Sequence, residues 1–442
     1  MFFDDRKLFC RGLLAIIAIG IIVRIILGYF LEYNNDVTAW TMTIANIDGG
    51  NGLYGVAGYY YPPVWGYMLA SFNEIIHLIG IGSLGDYFTD IIFMDEIKEE
   101  AITSTPAFNL AFSMFLAVAD ILVSFVIYWL IHHFTGDAVK GKIGFTLYFL
   151  GANVVIISAV GGMFDTFSAL LTLLCICFLI RGNDFMAGVL FSLAALLKLF
   201  PAFLIFLLVA YLFKKDRENF RRRLCFAILG AGLTTLVIMI PQIVDGTVMD
   251  SLSFVTSRAT GANSEDIGSI LMKYSSVIIY PIIVVLLILT SITFVRIRTE
   301  DVDRCFMYFA MFSMVLVFLY PGTPQYLILL MPFLIICALL HDEQLFKPMI
   351  LLVIGSSVFA LANISSDLIS IVLYQEWLSY EAWESFYNVM HHWRDGILYD
   401  AWNLAGGILQ YLATVWAGAL FIQRLRKRKE AAVDSGIEET EG

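Results

Sequence analysis

The stretch "RGNDFMAGVLFSLAALLKLFPAFLIFLLVAYLFKKDRENFRRR", residues 181–223, holds an apolar run with basic residues at both ends. Lys and Arg collect at the cytoplasmic ends of membrane helices. A run with such residues at both ends therefore enters the membrane and returns. Its two arms, 185–197 and 202–213, have about a dozen residues each, which at ~1.5 Å per residue is too short for a full crossing. The run reads as a half-depth hairpin with its tip at "KLFP" (198–201). Non-helical backbone at membrane depth is tolerated only where it is buried in protein or lines a water-filled cavity. A cavity opening to the outer face is expected there.

The whole composition agrees with a lipid-embedded chain. The 442 residues are 60% hydrophobic and 15% charged, with a mean hydropathy of +0.81. A soluble domain carries about 25% charged residues, so an ordinary soluble enzyme is excluded. The fold class is all-α, a polytopic transmembrane helical bundle. The first apolar segment, 12–30, is followed by no small-residue cleavage site and reads as a retained span. Basic clusters at 4–11, 140–142, 214–223, 296–304 and 424–429 fix the parity of the crossings when all are placed inside. The result is about 12 spans: 12–30, 107–131, 143–160, 166–180, 185–197, 202–213, 224–243, 274–295, 305–320, 326–340, 348–362 and 403–422. Both termini are then cytoplasmic. Of the 27 basic residues, only Arg24, Lys98, Lys198, Arg258, Lys273 and Arg394 fall elsewhere.

That parity leaves a long first outer loop, 31–106, in which the apolar stretch 62–80 is a re-entrant or interfacial helix. The chain divides into a cytoplasmic N-terminus (1–11), a membrane module (12–343), further spans with an outer loop (344–423) and a cytoplasmic tail (424–442). The formal net charge is −11, and the tail ends in an acidic stretch of disordered composition. None of the six cysteines lies in an outer loop, and no disulfide framework or CxxC metal site is indicated. No nucleic-acid partner is expected; membrane lipid is.

The chemistry-bearing residues gather on the outer face. "NNDVTAWTMTIANIDGG" (34–50) has Val37, Trp40, Ile44 and Ile47 at helical spacing, with Asp36 near the helix start, where a carboxylate is also an ordinary cap. "YYYPPVWGYML" (59–69) follows, with tyrosines suited to an interface, Tyr61 among them, and a stiff proline pair suited to starting a helix. "GGMFDTF" (161–167) places Asp165 after a flexible glycine pair. Lys198 sits at the proline break, where snorkelling is the plainest explanation for a lysine. "YPGTPQYLILLMP" (320–332) adds Gln325 and Tyr326, and "VMHHWRD" (389–395) adds Arg394. The adjacent His391 and His392 lack the i, i+4 spacing of a metal pair. Deep in the spans, Asp120 and Arg24 read as a buried structural pair. Carboxylates and a few cations around an outer cavity suit transfer from a lipid-borne phosphate. A hydroxyl needs a base to become a nucleophile, and a phosphate leaving group needs positive charge.

In order along residues 12–340, these motifs resemble integral-membrane glycosyltransferases of the GT-C fold. The closest likeness is to the GPI mannosyltransferase I type and the glycosyltransferase family 87 group. The resemblance is carried by Asn34-Asn35-Asp36, "GNGLYGVAGYYYPPVWGYML" (50–69), "LAVADILVSFVIYWLI" (116–131), "GGMFDTF", the Lys198–Pro201 element and the Pro324–Pro332 element. It implies an inverting transfer of a sugar, mannose first, from a polyprenyl-phosphate donor to a hydroxyl of a glycolipid, glycan or protein acceptor. The active site would face the extracytoplasmic side. By the same likeness Asp36 is the base, Lys198 sits near the donor phosphate with Arg258 or Arg394 as second cation, and Asp165 orients sugar hydroxyls. Tyr61, Gln325 and Tyr326 line the substrate cleft. GPI mannosyltransferases carry D-x-D where this chain has Asn34 and Asp36, so no metal or other cofactor is expected. A transporter or flippase for a lipid-linked or small solute is the alternative, and an O-antigen ligase or polymerase is a second enzymatic one.

Overall fold

The computed structural model describes residues 11–31, 34–54, 59, 61–78, 88–93, 99–104, 106–252, 267–319, 325–364, 385, 389 and 397–434. Among the described residues the regular structure is helical apart from one short hairpin. The N-terminal elements are α1 (Arg11–Phe30), α2 (Asn34–Asp48), α3 (Pro63–Leu78), β1 (Phe88–Phe93), β2 (Glu99–Ser104), α4 (Pro106–Thr135) and α5 (Ala138–Phe149). α6 (Ala152–Val160) comes next, followed by α7 (Asp165–Ile180), α8 (Asp184–Leu197), α9 (Ile205–Lys215) and α10 (Phe220–Asp245). The remaining helices are α11 (Ile267–Arg296), α12 (Val302–Val317), α13 (Leu327–Leu340), α14 (Phe346–Ile364) and α15 (Ile397–Asp434).

α4, α7 and α13 form the centre, and α13 is buried along almost its whole length. α1, α10 and α11 lie at the periphery with rows of exposed Leu, Ile and Val. An apolar helix left this bare is stable against lipid rather than water. Among the described residues, six helices are long and apolar enough to cross a membrane, or seven if the bent α5–α6 pair is one span. Each of the twelve expected segments coincides with helix, although α7, α8 and α13 are shorter apolar helices.

Helix ends far apart in sequence meet on one face. Arg223 donates from Nε and Nη2 to the Asp184 carboxylate at 2.9 and 2.8 Å. Lys215 reaches Asp303 at 2.8 Å, and Lys214 donates to the Phe294 and Ile297 carbonyls that end α11. Arg304 donates to Leu340 O at 2.7 Å, and Arg424 pairs with Asp342 at 3.4 Å. Three of the five basic clusters used to set the parity of the spans, 214–223, 296–304 and 424–429, thus make their contacts at this common face.

The run 185–213 breaks where the sequence places the break. Pro201 has no N–H to give to the Leu197 carbonyl, and its ring disfavours helix at the preceding residue. Accordingly α8 stops at Leu197, Lys198 is extended (φ −151°, ψ 134°), and a 3-10 turn over Phe200–Leu204 leads into α9. The arms differ from a closed hairpin, however. α8 packs on α7 and α10, whereas α9 packs on α11 and α12.

Two further features exceed the sequence reading. The segment expected at 143–160 is bent by 43° between α5 and α6, and Val155–Val160 is π-helical, a local widening that often marks functional sites. In the first outer loop α2 and α3 form as expected, but β1 and β2 add an antiparallel ladder from Phe88↔Ser104 to Phe93↔Glu99.

Candidate active site

α2 is seated on the turn that precedes α7. The Trp40 indole N–H donates to Gly162 O at 2.9 Å. Gly162 has φ +64°, and a Cβ built on it would stand 2.6 Å from Val37 Cγ2. Only glycine combines that backbone conformation with so close an approach. Below α2 lies an aromatic layer. Trp65 stacks on Phe164 at 4.5 Å, Trp40 meets both rings edge-on at 5.5 Å, and Tyr61 meets Phe164 at 5.1 Å.

The entry to α3 is equally tied down. Tyr54 OH donates to Tyr61 O, Tyr59 OH donates to Pro62 O, and Gly66 N–H donates to the Tyr59 oxygen, each at 2.8 Å. Tyr67 OH lies 3.1 Å from Gln242 Oε1, linking α3 to α10. Tyr54, Tyr59 and Tyr61 are thus tied to the start of α3.

Three charged side chains meet beside the layer. Lys198 Nζ donates to Asp165 Oδ1 at 2.5 Å, and both side chains are buried (2% and 0% exposed). The ammonium lies 4.9 Å from the Phe164 ring centroid and 4.5 Å from that of Tyr326, within cation–π range. Lys198 therefore does not snorkel; it turns inward at the helix break. Asp36, in the first turn of α2, completes the group. Burial pushes its carboxyl up to about 7, with Lys198 pulling it down and Asp165 pushing it up. A carboxyl near 7 exchanges a proton readily at neutral pH.

Of the residues expected at the site, Asp36, Asp165, Lys198 and Tyr326 are thus brought together. Tyr61 contributes its ring to the aromatic layer, and Gln325 is half-buried beside Tyr326. Arg258 and Arg394 lie outside the described residues, as does the 320–324 turn. Phe164 was not singled out from the sequence; its signal was its place between the glycine pair and Asp165. A void between α7, α8 and the 3-10 turn is bordered by Thr172, Cys175, Phe191 and Pro201. It has no charged lining and is not the expected outer cavity. Among the described residues, no three His, Cys, Asp or Glu side chains converge as a metal site would require.

No curated protein matches the chain. The model of glycosyltransferase family 87 matches residues 101–321, half of the sequence. The matched region holds Asp120, Asp165 and Lys198 and begins after Asp36. It supports a glycosyltransferase. The chain is an integral-membrane, all-α member of glycosyltransferase family 87.

Proposed function

We propose that the protein moves a glycosyl group, mannose before glucose, arabinose or galactose, from a polyprenyl-phosphate sugar to an extracytoplasmic hydroxyl. The acceptor is a glycolipid, a glycan or a protein. The observation that carries this reading is the meeting of Asp36, Asp165 and Lys198 under an interfacial helix. Asp36 takes the proton of the acceptor hydroxyl. The acceptor oxygen bonds to the anomeric carbon from the face opposite the phosphate, and the carbon–oxygen bond to phosphate breaks. Polyprenyl phosphate leaves with the electron pair, inverting the anomeric centre.

Lys198 offers the positive charge that the leaving phosphate requires. In this structure that charge is engaged by Asp165, so donor binding exchanges one anionic partner for another. The released Asp165 carboxylate then accepts hydrogen bonds from sugar hydroxyls. The reaction needs no metal in this scheme, because a single carboxylate serves as base and protein cations meet the phosphate. The positive-inside rule favours a cytoplasmic setting for the basic face described above, which supports an extracytoplasmic site at the opposite end of α8.

The test is transfer by the purified protein to a membrane extract from a panel of radiolabelled donors, polyprenyl-phosphate sugars beside nucleotide sugars. Transfer from a lipid-phosphate donor alone, unaffected by EDTA, is expected. Transfer from a nucleotide sugar, or loss in EDTA restored by Mg²⁺ or Mn²⁺, overturns the donor or the metal-free scheme respectively.

A further inference from the structure

α13 runs between two charged ends. Tyr326, at its start, lies 4.5 Å from the Lys198 ammonium. His341, at its other end, is roughly 20 Å away at the rise of an α-helix. At that far end α12, α13 and α15 bring one group of side chains together. His341 Nε2 lies 2.9 Å from Arg304 O, and Arg304 Nη2 donates to Leu340 O at 2.7 Å. The Tyr308 ring stands 5.1 Å from the His341 ring and 4.8 Å from that of Phe421. The Arg424 guanidinium carbon lies 5.6 Å from the Tyr308 centroid, and Arg428, one turn further along α15, falls on the same face of the helix.

The group carries more positive charge than its own carboxylate balances. Among the described residues, Arg424 is ion-paired with Asp342, whose Oδ2 stands 3.4 Å from Nη1 and whose Oδ1 also accepts from the Gln344 N–H at 3.0 Å. Burial and the charges of Arg424, Arg304 and Arg428 push His341 down to about 3, so the ring stays neutral beside three guanidiniums. Two donors are left over. Tyr308 is 5% exposed, and neither its hydroxyl nor Arg304 Nε has a hydrogen-bond partner among the described residues. A buried tyrosine hydroxyl ordinarily has one. Arg424, still 32% exposed, opens the group to the surface. On α15, Leu412, Val415, Trp416 and Ile422 leave an apolar side bare up to the level of Arg424.

We propose that this group binds the phosphate of an anionic phospholipid in the leaflet on that face, with Arg304, Tyr308 and Arg424 as its donors and Arg428 at its rim. Basic pockets between membrane helices hold anionic headgroups in this way, and the bare side of α15 gives the acyl chains their place. The site is separate from the one at Lys198 and does not depend on which sugar the protein transfers.

The experiment titrates the purified full-length protein in detergent with phosphatidylglycerol or phosphatidylcholine. Native mass spectrometry reads the retained lipid, thermal unfolding is followed beside it, and inorganic phosphate is added as competitor. The variants are Tyr308→Phe, Arg424→Gln/Arg428→Gln and a control, Arg221→Gln/Arg222→Gln, which removes two exposed basic residues from α10. Wild type and control are expected to prefer phosphatidylglycerol and to unfold at a higher temperature with it. The arginine double is expected to hold it roughly tenfold or more weakly, and Tyr308→Phe roughly fivefold, by the usual worth of charged and neutral hydrogen bonds. Tyr308→Phe removes only an unpartnered hydroxyl, so it decides the case even where the double fails to fold. Equal retention of the two lipids by wild type overturns the site, as does wild-type retention of phosphatidylglycerol in Tyr308→Phe or in a folded double. A loss in the control equal to that in the double reduces the effect to general surface charge and overturns it too. Displacement of phosphatidylglycerol by an equal concentration of inorganic phosphate overturns the lipid as the source of the phosphate.

Discussion

Lys198 and Asp165, 33 positions apart in the chain, meet at 2.5 Å where neither touches solvent. The contact gives Lys198 a partner at the price of occupying its charge before any donor arrives. Removing one member takes its closest charged contact from the other, and breaking a buried pair typically costs about 3–5 kcal/mol. Lys198→Ala is therefore expected to lower the unfolding temperature as well as turnover. Lys198→Met/Asp165→Leu is expected to recover the fold and remain inactive. Thermal unfolding in detergent, run beside the transfer assay, separates the two losses.

Asp165→Asn leads to a second prediction. It frees the ammonium from its carboxylate partner, so polyprenyl phosphate is expected to bind more tightly to this variant than to wild type while transfer falls. Equilibrium binding of labelled polyprenyl phosphate reads the first effect directly. Weaker binding in the variant means that Asp165 holds Lys198 ready for phosphate and does not compete with it.

The elevated Asp36 carboxyl makes activity depend on pH with a definite sign. The base works only when deprotonated, and burial holds its proton on to about pH 7. kcat/KM is expected to be low at pH 6 and to rise through neutrality toward a plateau. Asp165 pushes Asp36 up, so the midpoint is expected to move down in Asp165→Asn. A profile flat between pH 5 and 8 removes Asp36 as the titrating group.

Gly162 joins the outer helix to the site. Its positive φ and the 2.6 Å approach of Val37 to a built Cβ mean that alanine there must displace α2. Gly162→Ala is expected to cost about 1–3 kcal/mol, the range for backbone strain of this kind, and to cut turnover because Asp36 rides on α2. Val37→Ala in the same background relieves the contact but not the φ, and is expected to restore activity in part.

Sidedness is open to labelling. In a cysteine-free background, Asp245→Cys at the end of α10 is expected to react with an impermeant reagent in intact cells. Glu218→Cys, just before α10, is expected to react only after lysis. The reverse pattern inverts the proposed orientation.

Much of this architecture could be read from residues alone because lipid makes the rules strict. Apolar runs, basic flanks and Pro201 located the helices and the break at Lys198. Arg24 and Asp120 could be paired because neither survives alone at membrane depth. Other features depended on tertiary contact. The inward turn of Lys198 was hidden because a lysine near a helix end snorkels by default, and its carboxylate partner lies on another helix. The divergence of α8 and α9 reflects competition among apolar faces that are equivalent in sequence. The bend between α5 and α6 has no proline to announce it.

The measurement that bears most directly on the account is transfer and donor binding by Asp36→Asn. The variant keeps the shape of the side chain and removes its basicity. The account predicts transfer lower by about 10²–10⁴-fold, the usual contribution of a positioned base, with donor affinity and unfolding temperature near wild type. Transfer at the wild-type rate, with a folded protein, contradicts it.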